Sequence, residues 1–351
     1  MNNVLVTGGC GYIGSHTVLL LLEKGYFVYI LDSHYTSRPA VINKLNKIIL
    51  EKDKTLVNNL KYFKGDLRNE NDLNSIFIYA KENYKPIQAV IHLAGLKAVY
   101  ESVKNPLLYW DFNLVGTISL LKVMKEFSCR NLIFSSSATI YSKSNKLINE
   151  NFSIKPINPY GKTKSNIESL LEDLHKSEKG QWKIINLRYF NPIGAHYSGN
   201  IGEHPIENPN NIFPLILKVA SRKLKELKIF GNDWGTRDGT CIRDYVHILD
   251  LANAHLAAFE YLSRSNSQFT NLNIGTGKGT TVLELINTFK KVNKIDLPFS
   301  FASRREGDQE YVVADNRKAL NILNWKPIRN IEDMCRDGWK WQTKNPNGYF
   351  D

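Results

Sequence analysis

"VLVTGGCGYIG", residues 4–14, decides the fold. A short β-favouring run leads straight into Gly8-x-x-Gly11-x-x-Gly14, and an apolar helical pattern follows over Ser15–Lys24. In a strand–turn–helix of this kind Gly8 permits the tight turn. Gly11 lets the backbone approach a pyrophosphate, and Gly14 lets the helix pack close on the strand. The helix N-terminus then offers free N–H groups to phosphate oxygens. A second apolar run, Phe27–Asp32, ends in a carboxylate near the offset at which such sites read a ribose. Asp32 accepts from ribose hydroxyls and repels a 2′-phosphate, which favours NAD over NADP; the nearby Arg38 works against this.

Working outward, further β-rich runs occur at Lys61–Phe63, Ala89–Leu93, Asn131–Ser135 and Ile184–Tyr189. Helical patterns near Asn71–Asn83, Leu107–Ser128 and Thr163–Ser177 lie among them. Buried strands alternating with amphipathic helices predict an α/β fold, a Rossmann-type doubly wound parallel sheet. Past Phe190 the pattern turns irregular through "HYSGNIGEHPIENPNN". The expected division is a dinucleotide-binding domain over 1–190 and a smaller, mixed α/β substrate lobe over 191–351. Part of 240–275 is expected to return to the first domain.

Bulk properties exclude several classes. No apolar run reaches the roughly 18–20 residues of a membrane span, and a glycine loop follows the first strand where a signal peptide's apolar core would continue. A cytoplasmic protein is the expectation. The four cysteines are scattered without C-x-x-C spacing and the histidines form no ligand set, so no disulfide framework or metal site is expected. The net charge of +12 comes from lysines spaced along solvated helix faces, as in "INKLNKIILEKDK". Without interleaved aromatics or a recognisable module it does not indicate nucleic-acid binding.

"PYGKTK", residues 159–164, sets Tyr160 and Lys164 on one helix face. "YESVK" repeats the spacing at Tyr100 and Lys104, so spacing alone does not choose between them. A phenol near pKa 10 is a poor base at neutral pH. A lysine ammonium beside it and the positive nicotinamide of NAD⁺ would lower that pKa.

The glycine spacing is that of extended short-chain dehydrogenases/reductases. "GDLRN" (65–69), "HLAGLKAV" (92–99), "IFSSSATIY" (133–141), "PYGKTK", "LRYFNPIGAH" (187–196), "GTCIRDYVH" (239–247), "RREGD" (304–308) and the "WKWQ…NPNGY" ending follow in order. Over essentially the whole chain this resembles the UDP-glucose 4-epimerase family. The resemblance selects Tyr160 over Tyr100 and implies Tyr160, Lys164 and Ser137 as the catalytic set. It implies Gly8, Gly11, Tyr12, Ile13, Gly14, Asp32, Ser33, Ser37, Asp66, Leu67, Leu93, Ala94, Gly95, Lys97, Asn113, Ser135, Tyr160, Lys164 and Phe190 around NAD. Around the UDP-sugar it implies Lys97, Ser137, Tyr160, Asn191, Asn211, Ile212, Lys228, Ile229, Phe230, Arg243, Arg305 and Asp308, the two arginines holding the diphosphate. The implied reaction interconverts UDP-glucose and UDP-galactose through a 4-keto sugar with a resident NAD, in galactose metabolism, by a homodimer joined through the helices near 107–128 and 163–177.

Two positions depart from close relatives. Nucleotide-sugar 4,6-dehydratases carry Thr-Asp-Glu where this chain has Ser137-Ala138-Thr139; eliminating a hydroxyl needs that acid/base pair, so dehydration is disfavoured. The fourth residue beyond Asp308 is Val312, where restricted epimerases often have tyrosine. The expected pocket is roomier and admits N-acetylated UDP-sugars, unless a one-residue slip puts Tyr311 there. A uronate epimerase, a decarboxylase and an NAD-binding sensor without turnover stay open. An intact Ser137/Tyr160/Lys164 set argues against the sensor.

Overall fold

The structure, a computed structural model, describes residues 1–178, 181–206, 210–305 and 307–349. Strand β1 (Asn3–Thr7) feeds the glycine turn and helix α1 (Tyr12–Glu23). Then follow β2 (Phe27–Asp32), α2 (Ala40–Lys52), β3 (Leu60–Lys64), α3 (Glu70–Glu82) and β4 (Ala89–His92). Helices α4 (Val99–Lys104), α5 (Pro106–Tyr109) and α6 (Gly116–Glu126) lead to β5 (Asn131–Ser137), α7 (Pro159–Ser177) and β6 (Lys183–Tyr189).

The second half contributes β7 (Asn191–Ile193), α8 (Ile212–Ala220), β8 (Leu227–Phe230), β9 (Ile242–Arg243) and β10 (Tyr245–His247). Helix α9 (Ile248–Arg264) and β11 (Gln268–Ile274) come next. The chain finishes with β12 (Thr280–Thr281), α10 (Val282–Asn293), β13 (Phe299–Ala302), β14 (Tyr311–Val312), α11 (Arg317–Leu323) and α12 (Ile331–Lys344).

Seven parallel strands form the main sheet in the order β11-β6-β5-β4-β1-β2-β3. Strand alternation divides its side chains between two apolar layers. Val4, Val6 and Ile30 face α1, α2 and α9, while Leu5, Tyr29 and Leu31 face α3, α6 and α7. The order in which strands are added reverses between β1 and β4, and at such a switch point the strand carboxyl ends open a crevice. A separate core around Phe213, Ile216, Leu285 and Phe289 supports the second lobe, whose strands pair in small sheets of two or three. Two capping boxes, Thr281 with Glu284 and Asn330 with Asp333, start α10 and α12.

Three local differences from the sequence expectation bear on the site. Strand β5 runs on to Ser137, and α7 begins at Pro159, because Asn158 Oδ1 accepts from Gly161 N at 2.8 Å and proline suits a first helical position. Tyr160 is thereby in the first helical turn. The stretch expected as one helix over 107–128 is interrupted at Trp110–Val115 by a wider π turn. There the buried Asn113 Nδ2 donates to Leu96 O (3.1 Å) and Thr163 Oγ1 (3.0 Å), and Leu96 N donates to Asn113 Oδ1 (2.7 Å). A π turn realigns one side chain at the expense of regular winding. Pro106–Glu126 is apolar and long enough to cross a membrane by composition, yet half of its most apolar stretch is buried within the fold.

Candidate active site

The glycine loop is shaped by close approaches. Gly8 has φ +70°, and a Cβ there would lie 2.8 Å from Ala94 N; one on Gly14 would lie 2.1 Å from Gly8 O. Gly11 caps α1 with extended backbone and no side-chain bond, so the first-turn N–H groups face the crevice without a side-chain partner. This cradle fits a dinucleotide pyrophosphate. Ile13 packs its side chain onto the sheet core, and the Tyr12 hydroxyl donates to Gly194 O at 2.7 Å, tying the loop to the second lobe.

Asp32 is buried at the end of β2 and organises the next turn. Its Oδ2 accepts from Cys10 N at 2.9 Å; its Oδ1 accepts from Ser37 Oγ (2.7 Å) and His34 N (2.9 Å). His34, at φ 60°, sits with its ring between Ser37 Oγ (2.9 Å) and Tyr62 OH (2.5 Å). Ser33 is half-buried. His34 and Tyr62 escaped the sequence reading because neither belongs to a motif.

Asp66 is engaged by Arg68, whose Nη2 reaches Asp66 Oδ2 at 2.6 Å and whose hydrogen bonds hold that carboxyl below its usual range. The same guanidinium bonds Asp111 Oδ2 at 2.5 Å and stacks 3.7 Å from the Phe112 ring centroid. Leu67 is buried in the core beneath α6. At the end of β4, Ala94 N donates to Thr7 Oγ1 (3.3 Å), and Leu93 packs on the core. Gly95 lies against Asn113 Oδ1, 2.9 Å from where a Cβ would stand. Lys97 pairs with Glu203 at 2.8 Å, an acidic partner no motif announced, and its ammonium is 5.8 Å from the Tyr12 ring centroid.

Ser137, Tyr160 and Lys164 converge at the carboxyl ends of β5 and β6. Ser137 stands close enough to the Tyr160 phenol to act on its titration. Thr139 donates to Ser137 Oγ from its own Oγ1 (3.0 Å) and N (3.2 Å). The buried Lys164 Nζ donates to Ser135 O at 2.7 Å and lies 6.0 Å from the Tyr160 ring centroid. Burial pushes Lys164 down to about 8, opposed by Glu168.

The expected lowering of the phenol by Lys164 is not what the protein alone produces. Burial raises the Tyr160 pKa, and only Ser137 works the other way. The Lys164 ammonium donates to the Ser135 carbonyl, and among the described residues no hydrogen bond joins it to the phenol. Tyr100 and Lys104 make a surface cation–π contact at 4.5 Å, with Tyr100 59% exposed.

At the other end, Arg305 Nε and Nη2 pair with Asp308 Oδ2 (3.1 Å) and Oδ1 (3.3 Å), and its guanidinium stands 4.6 Å from the Phe230 ring centroid. Arg243 Nη1 donates to Gln309 O at 2.7 Å. Alternation along β8 separates the Lys228–Phe230 run. Lys228 turns outward to Glu226 (2.5 Å) and Ser300 (2.8 Å), and Ile229 is buried in the second-lobe core. Only Phe230 of the three therefore presents its side chain to Arg305. Asn211 caps α8 and Ile212 begins it. Asn191 N donates to Asp244 O at 3.0 Å. Val312 packs with Phe190, Ala138 and Ile140, whereas the Tyr311 ring lies toward Gly279. The two residues leave β14 on opposite sides, which is the physical content of the register question.

The family model described as GDP-mannose 4,6 dehydratase matches residues 5–338. UDP-glucose 4-epimerase 2 of Arabidopsis thaliana is 47% identical over 99% of this chain and 97% of its own. The bifunctional UDP-glucose 4-epimerase and UDP-xylose 4-epimerase 1 of Pisum sativum is 45% identical over 99% and 97%. The crystal structure of UDP-glucose 4-epimerase from Stenotrophomonas maltophila, with bound NAD and formylated UDP-arabinopyranose, superposes with a TM-score of 0.92 at 40% identity over 99% of both chains. With a parallel seven-stranded sheet, a glycine cradle at its switch point and full-length identity well above the fold-only range, the chain belongs to the UDP-glucose 4-epimerase family.

Proposed function

We propose that this chain catalyses reversible C4 epimerisation of UDP-glucose and UDP-galactose with a resident NAD. The observation that carries the reading is the buried Lys164, one helical turn from Tyr160 and bonded to the strand end that carries Ser137, at the mouth of a dinucleotide cradle. Tyr160 takes the proton of the sugar C4 hydroxyl, and Ser137 holds that oxygen as it becomes a carbonyl. NAD, when bound, accepts the C4 hydride and returns it. Gly8, Gly11 and the α1 N-terminus would hold its pyrophosphate, Asp32 its adenosine ribose and Lys164 its nicotinamide ribose. Lys164 and, when bound, the positive nicotinamide ring would both favour the Tyr160 phenolate.

Arg243 and Arg305 hold the diphosphate of the UDP-sugar, with Asp308 and Phe230 on the uridine side. The 4-keto sugar turns within the pocket and regains hydrogen on its other face. Val312 gives that pocket a small wall and extends the substrate range to UDP-GlcNAc and UDP-GalNAc. The bifunctional pea relative favours a pentose, UDP-xylose, as a further substrate. Ala138 and the neutral Thr139, already donating to Ser137, leave the dehydratase reaction without its acid/base pair. The enzyme is placed in the cytoplasm as a homodimer; Val103 and Leu107, 62% and 82% exposed on α4 and α5, support a second copy covering that face.

The test is UDP-galactose conversion by purified protein without added NAD, beside Tyr160→Phe. Wild-type turnover and a loss of about 10²–10⁴-fold in the variant are expected. Activity undiminished in Tyr160→Phe would remove the proposed base.

A further inference from the structure

Three consecutive serines at the end of β5 each meet one residue of α7. Ser135 O accepts from Lys164 Nζ (2.7 Å), Ser136 Oγ donates to Glu168 Oε1 (2.5 Å), and Ser137 stands beside the Tyr160 phenol. Residues 160, 164 and 168 recur at one-turn intervals, so a single helix face meets a single strand end. Glu168 is in turn clamped from β6. Arg188 Nε and Nη2 donate to its Oε1 (3.0 Å) and Oε2 (2.6 Å). Arg188 is 1% exposed and Glu168 4%.

The guanidinium has further partners. Its Nη1 donates to Tyr141 OH (2.8 Å) and Glu150 O (2.9 Å), and Tyr141 OH donates to Asn273 Oδ1 on β11 (2.6 Å). One buried ion pair thus joins α7, β5, β6 and β11 directly behind the Tyr160 site. Burying two charges is costly, and replacing such a pair by apolar groups is often neutral or stabilising. Stability alone is therefore a poor account of this pair.

We propose that Glu168 and Arg188 are positioning residues for the epimerase reaction: their ion pair holds Tyr160, Lys164 and Ser137 in register and sets the charge surroundings of Lys164. This rests on the reading of Tyr160 and Lys164 given above. The titratable and charged groups facing Lys164 are Tyr160 and Glu168 on its own helix and His92 on β4, with Arg188 on β6 behind Glu168. Burial holds His92 neutral, between Thr7 and Thr117. Glu168 is thus the carboxylate that favours the charged lysine.

The experiment measures kcat, KM and the pH profile of kcat for Glu168→Gln, for the double variant Glu168→Gln/Arg188→Met, and for Tyr160→Phe. The double variant removes both charges, so it remains informative where the single variant fails to fold. The expected result is a loss of roughly 10- to 100-fold in kcat with little change in KM. The alkaline limb should move to lower pH, because Lys164 releases its proton more readily without Glu168. Both effects should persist in the double variant at near wild-type thermal stability. Wild-type kcat and pH profile in a folded double variant would overturn the proposal while Tyr160→Phe is dead. A fully active Tyr160→Phe would overturn the underlying reading, and this inference with it.

Discussion

The backbone N–H of Cys10 donates to Asp32 Oδ2 at 2.9 Å, so the glycine loop after β1 is tied to the end of β2. The carboxylate expected to read a ribose also shapes the loop expected to cradle the pyrophosphate. Asp32→Ala is therefore expected to weaken NAD retention by about 10- to 100-fold, combining a lost charged acceptor with a loosened cradle. NAD released on denaturing the purified variant measures this directly. A full stoichiometric complement would contradict it.

Lys164 titrates at about 8 in the folded chain against an ordinary value of 10.5. The unfolded state consequently binds more protons between those two pH values, and the stability of the wild type rises with pH across that window. Lys164→Met lacks this dependence. Its stability relative to wild type should be most favourable below pH 8 and should fall, by about 3 kcal/mol at most, as pH climbs toward 10.5. Denaturant melts of both proteins at pH 7 and 10 decide the matter; a constant difference would count against it.

Arg305 is half exposed and paired with Asp308, a pairing worth little in itself. Its expected value lies in the diphosphate. Arg305→Ala should raise KM for UDP-galactose about 10- to 100-fold, the range for a charged hydrogen-bond partner, and change kcat by less than about 3-fold. Steady-state kinetics with NAD saturating would show it, and a pure kcat defect would relocate the arginine's role.

Val312 shares a small apolar cluster with Phe190 and Ala138. Filling that wall in Val312→Tyr should reduce turnover of UDP-GalNAc at least about 10-fold more than turnover of UDP-galactose. Competition between the two substrates in one reaction gives the ratio. Equal losses would mean the side chain does not meet the sugar's C2 substituent.

The strand–glycine–helix unit at 4–14, the run ending at Asp32 and the strands through Tyr189 were legible because their causes are local. Periodicity, β-branched runs and glycine's freedom act over a few residues. Tyr160 was separable from Tyr100 through its motif, and the structure adds that one lies in the first turn of α7 and the other on the surface. Beyond that, distant segments had to meet. The outward turn of Lys228, the π turn that points Asn113 at Leu96, and the pairing of Lys97 with Glu203 depend on partners far along the chain.

Glu168 and Arg188 are the plainest case, since each alone is one more charged residue among many. The sequence by itself determined the parallel α/β sheet and the glycine cradle, and named Ser137, Tyr160 and Lys164 as the candidates. Tertiary structure decided which way the Lys164 ammonium points and which carboxylate stands behind it. Hydrogen bonds and desolvation act between groups brought within about 3 Å, and only the folded chain brings these groups together.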